Sequence, residues 1–132
     1  MKFTLGKQER LKSKILIGKL YKEGNSVKAF PLRMVYIQTE HTSDYPVQMG
    51  VSVPKRNFKK AVSRNRIKRL LRETYRKQKY TVYNTVEKQY VFMISYIGKE
   101  EWSYEDLEKK MNELLHLFVK AIQKNTKDEK NS

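Results

Sequence analysis

Residues 51–73 read Val51-Ser52-Val53-Pro54-Lys55-Arg56-Asn57-Phe58-Lys59-Lys60-Ala61-Val62-Ser63-Arg64-Asn65-Arg66-Ile67-Lys68-Arg69-Leu70-Leu71-Arg72-Glu73, and two periodicities meet inside them. On the upstream side Val47, Met49, Val51 and Val53 alternate with Gln48, Gly50 and Ser52, the period of a half-buried strand, and Pro54 stops it. Downstream, from Ala61 to about Lys77, Ile67, Leu70, Leu71, Thr74 and Tyr75 recur at i, i+3, i+4, i+7 and i+8. That is the stripe of a helix with one buried side. On a helical projection Asn65, Arg66, Lys68, Arg69, Arg72 and Arg76 fall opposite the stripe, with Arg64 at its edge. A strand therefore passes through a short basic loop into a helix that presents a row of cations.

Working outward, residues 7–23 carry Leu11, Ile15, Leu16, Ile17, Leu20 and Tyr21 at helical spacings, and Gly24-Asn25-Ser26 supplies a stop. Phe30–Thr39 reads as a strand, with Phe30, Leu32, Met34 and Tyr36 at period two. Pro31 suits an edge or first-residue position there. Glu40–Pro46 is a polar turn, and residues 78–89 read as a polar connection. Tyr90–Ile97 is a strand apolar at nearly every position, expected to be central and covered on both faces. Ser103 with Asp106 resembles a capping box, opening a last helix along Leu107, Met111, Leu114, Leu115, Phe118 and Ile122. The tail, 125–132, is polar and expected to be disordered. The order helix–strand–strand–helix–strand–helix predicts an α+β fold. It forms a single domain over 1–132, a small mixed sheet with three helices packed against it.

The chain has 132 residues, enough for one core, and its 39% hydrophobic and 11% aromatic content is too high for a disordered chain. No cysteine is present, which excludes disulfides, thiolate metal sites and thiol catalysis. The longest apolar run, Val91–Ile94, is far too short to span a bilayer, and the first residues lack an apolar signal core. A cytoplasmic protein without membrane attachment is expected. Net charge is +15, and it is concentrated: residues 55–79 carry +11, with twelve Lys and Arg against the single acid Glu73. Such a block repels itself, so a polyanion is its natural partner; a solvated helix face would interleave both signs. Nucleic acid fits best, with an anionic membrane surface as the alternative.

Protein-borne catalysis has little to draw on. His41 and His116 are far apart, and Glu100, Glu101, Glu105, Asp106 and Glu108 gather at a helix start, where they meet the macrodipole favourably. No phosphate-cradling Gly loop, nucleophile elbow or metal-spaced set of His, Asp and Glu occurs. A stand-alone protein nuclease is therefore disfavoured, and catalytic and metal residues are expected to be absent from this chain.

Val51–Arg56 followed by Ala61–Glu73 closely resembles the signature of the bacterial ribonuclease P protein subunit. There a strand ending in Ser-Val-x-Lys leads into an Arg-Asn-Arg helix. The likeness extends to Phe3-Thr4, Glu9-Arg10-Leu11, Leu20–Ser26 and Leu114–Lys120, reaching about residue 124. It implies a ribonucleoprotein role in which the RNA subunit, with Mg²⁺, removes the 5′ leader of precursor tRNA. This chain would then belong to the tRNA-maturing endoribonuclease without carrying its catalytic centre, and no further protein partner is required. The resemblance also implies a left-handed strand–helix–strand crossover, against the general right-handed rule.

Carried over by position, Lys55, Arg56, Arg64, Asn65, Arg66, Lys68, Arg69 and Arg72 are the expected contacts to the RNA subunit. The chemistry agrees: Arg forks match phosphate, and Asn both donates and accepts at a base edge or 2′-hydroxyl. For the precursor-tRNA leader, Ile17 and Tyr21 on the first helix and Tyr36 on the first strand are the candidates. Val35 is a competing register on that strand, and ordinary core packing is the alternative for Tyr21 and Tyr36. Ile17 stands where the family commonly has a second aromatic. A ribosomal or other structural RNA-binding protein is the rival function.

Overall fold

A computed structural model of the protein describes residues 6–41 and 43–131, with side chains through Lys124. Lys7–Glu9 form a single 3-10 turn, followed by α1 (Lys14–Glu23), β1 (Asn25–Ala29), β2 (Leu32–Gln38) and β3 (Val47–Ser52). Then come α2 (Ala61–Tyr83), β4 (Tyr90–Tyr96) and α3 (Tyr104–Asn131). The strands form one mixed sheet in the order β1-β2-β4-β3. β1/β2 and β2/β4 are antiparallel and β3/β4 parallel. Parallel neighbours cannot be joined by a hairpin, so α2 is the crossover that returns the chain from β3 to β4. The α+β fold with three helices stands as the sequence predicts, and the sheet gains one strand.

Period two sorts the sheet into two faces. Leu32, Met34 and Tyr36 of β2, Phe92 and Ile94 of β4, and Val47 and Met49 of β3 meet the apolar stripes of α2 and α3. Phe118 of α3 anchors this side, with the rings of Tyr36, Tyr90 and Phe92 edge-on to it at 4.9, 5.4 and 5.5 Å. Edge-to-face placement suits aromatic quadrupoles better than a stacked sandwich. The other face carries Val35, Val91 and Met93 against Leu11 and Leu20, with Leu16, Ile17 and Ile37 at its margin. β4 is buried at every position except Ser95, as expected of a strand covered on both faces.

Four local expectations are corrected. The helix over 7–23 is broken in two: Leu11 N–H donates to the Met49 carbonyl at 2.9 Å, and Arg10 forms a bridge with Met49. Residues 10–11 thus line the outer edge of β3, and the helix restarts where the Ser13 hydroxyl accepts from Leu16 N–H. Asn25 and Ser26 do not form a turn; they open β1. Gly24 has extended backbone, and what it supplies is room: a Cβ there would lie 2.3 Å from the Leu20 carbonyl oxygen and 2.8 Å from Val35 Cγ1. β2 begins at Leu32, leaving Phe30 half-exposed in the β1–β2 turn against Trp102, and because β1 pairs outside it, β2 is not an edge. Finally α2 runs on to Tyr83 through the expected polar connection. Ser103 does cap α3, its hydroxyl accepting from Asp106 N–H. The expected disorder of 125–132 lies outside the described side chains.

The extra turns of α2 are held by a buried ion pair. Glu9 and Lys79 are 1% and 2% exposed, and Lys79 Nζ donates to Glu9 Oε1 at 3.0 Å and Oε2 at 2.8 Å. Gly6 N–H donates to the same carboxylate at 3.1 Å, and the Tyr83 hydroxyl donates to it as well. Burial, with Tyr75 and Glu9 alongside, pushes the Tyr83 phenol up, so it stays a donor. Four bonds on one carboxylate are what a charge needs once water is removed. The network fastens the N-terminal turn to the last third of α2.

Candidate nucleic-acid interface

The basic loop between β3 and α2 is built as a rigid support. Asn57 and Phe58 N–H both donate to the Pro54 carbonyl, and the Phe58 ring packs on Tyr96 at 5.8 Å. Asn57 Nδ2 reaches the Gly98 carbonyl at 3.5 Å, and the Tyr96 hydroxyl, itself donating to the Glu100 carbonyl, accepts from Trp102 N–H. Lys55, Arg56, Lys59 and Lys60 stand exposed on this frame. Arg56, Asn57 and Lys99 line a shallow pocket of about 410 Å³. Asn57 and Lys99 are additions to the sequence-derived set. Long-range contacts, Asn57 to Gly98 across 41 residues and Phe58 to Tyr96, bring Lys99 in, so no local pattern announces it.

Arg64 plays a second part here. Its Nη1 donates to the carbonyls of Phe58 and Lys59, both at 2.8 Å, and the side chain is half-buried. It clasps the loop it follows. Arg64→Ala is expected to speed amide hydrogen exchange across residues 57–60 while leaving the sheet protected. Arg69→Ala should leave that loop unchanged, and equal exchange in the two variants would contradict the clasp.

On α2 itself Asn65, Arg66, Arg69 and Arg72 are exposed, as the projection predicts. Lys68 is half-buried and lies on a flank rather than opposite the stripe. The cations differ in their partners. Arg66 Nη1 lies 3.3 Å from Glu101 Oε1, and Arg76 pairs with Glu73, whose carboxyl the Arg76 hydrogen bond holds below the usual range. Lys77 Nζ sits 4.9 Å from the centroid of the Tyr104 ring. Among the described residues Arg72 has no such partner, and its guanidinium pKa is lowered by burial and then by the like charge of Arg10.

The three leader candidates do not come together. Ile17 packs at the margin of the α1-side cluster, and Tyr21, one turn on, is 55% exposed. Tyr36 is 5% exposed on the opposite face of the sheet, edge-on to Phe118. It is a core residue. Strand alternation puts Val35 and Ile37 on the α1 side instead, and half-buried Ile37 touches the same cluster as Ile17. A run reading Leu32, Met34, Tyr36 inward has to place Ile37 with α1, but only knowledge of which face α1 covers makes that useful.

His41 is half-buried beside Gln89, its pKa lowered by burial, whereas His116 is exposed and donates from Nδ1 to the Asn112 carbonyl. Among the described residues no group of three or more His, Asp or Glu is placed to hold a metal ion.

The family model described as Ribonuclease P matches residues 5–119. A ribonuclease P protein component from Porphyromonas gingivalis is 40% identical over 91 residues, covering 68% of this chain and 66% of that protein. This chain thus spans just under two thirds of that relative's length. One from Chlorobium phaeobacteroides is 35% identical over 126 residues, covering 86% of each. Among solved structures, the Staphylococcus aureus RNase P protein superposes with a TM-score of 0.67 at 21% identity, covering 83% of this chain and 94% of that one. The protein from Thermotoga maritima gives 0.62 at 24%, covering 81% and 94%. At such identities the structures speak for the fold, while the family match and the sequence relatives speak for descent. The chain belongs to the Ribonuclease P family.

Proposed function

We propose that this chain is the protein subunit of a ribonuclease P holoenzyme, acting in the cytoplasm. It would bind the RNA subunit through α2 and the loop before it, contact the 5′ leader of precursor tRNA beside α1, and leave bond cleavage to the RNA. The observation that carries this reading is the row Arg66, Arg69 and Arg72, exposed on one side of a helix whose other side is core. Fixed cations of this kind release condensed counterions from phosphate and favour RNA docking without reading sequence. Mg²⁺ would supply the cleavage chemistry from sites on the RNA; the described residues of this chain form no cluster suited to hold it. No helix among the described residues is long and apolar enough to cross a membrane. Family membership sets aside a ribosomal or other structural RNA-binding role.

The test is cleavage of precursor tRNA in Mg²⁺ by the cognate RNA subunit, with and without the protein. Faster cleavage at limiting Mg²⁺ with protein added, and none by protein alone, is expected. Cleavage by the protein alone would overturn the division of labour, and an RNA subunit indifferent to the protein would overturn the assignment.

A further inference from the structure

We infer that Arg10, on the N-terminal turn, is a phosphate contact for the RNA subunit, extending the face of α2 along the flank nearest β3. This rests on the RNA-subunit reading above and adds to it a residue from outside the loop and helix.

The two flanks of α2 are electrostatically unlike. On the flank toward α3, Arg66 meets Glu101 and Lys77 lies over Tyr104, and beside it Arg76 is matched by Glu73. Lys68, Arg72 and Lys79 follow one another at four and seven residues, so they line the opposite flank. There Lys79 pairs with Glu9, whose carboxylate is committed to Lys79, Tyr83 and Gly6 inside the protein. The next residue along is Arg10, set against β3 by its bridge to Met49 and by Leu11 N–H on the Met49 carbonyl. Its side chain is exposed, and among the described residues Arg10, Lys68 and Arg72 make no ion pair. On Arg72 burial first, and the like charge of Arg10 second, disfavour the charged guanidinium. Exposed like charges on one flank, anchored by the buried Glu9–Lys79 pair and without ion-pair partners among the described residues, form a site for an anion from outside.

The consequence is a ranking within the cationic surface. A phosphate arriving at Arg66 has to displace Glu101, whereas among the described residues Arg10 and Arg72 have no ion-pair partner to give up. Arg10 is thus expected to matter at least as much as Arg66, although it stands 56 positions away in sequence.

The experiment is titration of the cognate RNA subunit with wild type, Arg10→Gln, Arg72→Gln, Arg66→Gln and Lys28→Gln over a range of salt. Lys28 sits exposed on β1, at the far edge of the sheet, and controls for net charge. Arg10→Gln and Arg72→Gln should each weaken binding several-fold and flatten the log affinity–log salt slope by just under one unit. Arg10→Lys should keep the slope, Arg66→Gln should lose less, and Lys28→Gln should match wild type. A slope unchanged in Arg10→Gln but flattened in Arg72→Gln would overturn this inference alone. Wild type showing no salt-dependent affinity for the RNA would overturn the underlying reading.

Discussion

Glu9→Ala is expected to remove about 3–5 kcal/mol of folding stability, the cost of leaving a buried charge without its partner. Lys79 Nζ would keep its place under the N-terminal turn at 2% exposure, with the carboxylate that accepted its two bonds gone. The Tyr83 hydroxyl and Gly6 N–H would lose their acceptor at the same time. A domain of this size is stable by only about 5–15 kcal/mol, so the loss is a large share of the total. Urea denaturation reads it as a lower midpoint with a nearly constant slope. Glu9→Leu combined with Lys79→Met keeps the volume and removes both charges. It should restore most of the stability, since a buried pair is often no better than a hydrophobic replacement. A loss below about 1 kcal/mol in Glu9→Ala would mean that the pair is solvated like a surface salt bridge.

That pair also shows why part of the fold was not legible in the sequence. Lys79 interrupts an apolar stripe, so a local reading ends α2 near Lys77; the partner that makes its burial tolerable is 70 positions away. β1 escapes for a different reason, since of Asn25–Ala29 only Val27 and Ala29 turn inward, too few to show a period. Leu11 sits at helical spacing from Ile15 yet belongs to a segment lining β3, where a backbone bond to Met49 outweighs local propensity. By contrast the β3 alternation, the apolar β4 and the α3 stripe were legible because burial alone writes them.

The interface divides in the same way. Exposure of Arg66, Arg69 and Arg72 follows from the phase of one helix, which sequence reveals. The clasp of Arg64 on its loop, the Glu101 partner of Arg66 and the seating of Arg10 against β3 through its bridge to Met49 are tertiary facts. They leave the motif intact and redistribute the work within it.

Tyr36→Ala should cost about 3–5 kcal/mol, as a fully packed aromatic in a core does. The ring it removes lies 4.9 Å from Phe118 on the side of the sheet away from α1. Tyr36→Phe keeps that ring, and it should fold like wild type and bind precursor tRNA unchanged. Tyr21 is the opposite case. At 55% exposure on α1 it contributes little burial, so Tyr21→Ala should leave the denaturation midpoint nearly in place. In the proposed holoenzyme it should weaken binding of precursor tRNA carrying a leader of several nucleotides by about 1–3 kcal/mol, the worth of one stacked base. Binding of mature tRNA, which has no leader to stack, should stay constant. Ile17 beside it offers apolar contact but no π face, so nothing on the adjacent turn replaces the lost ring. Affinities for the two RNAs, measured in parallel at fixed salt, separate the roles. Equal losses for both RNAs with Tyr21→Ala would remove it from the leader surface. A leader-specific loss with Tyr36→Phe would show that the β2 face buried against Phe118 opens to RNA in the assembled particle.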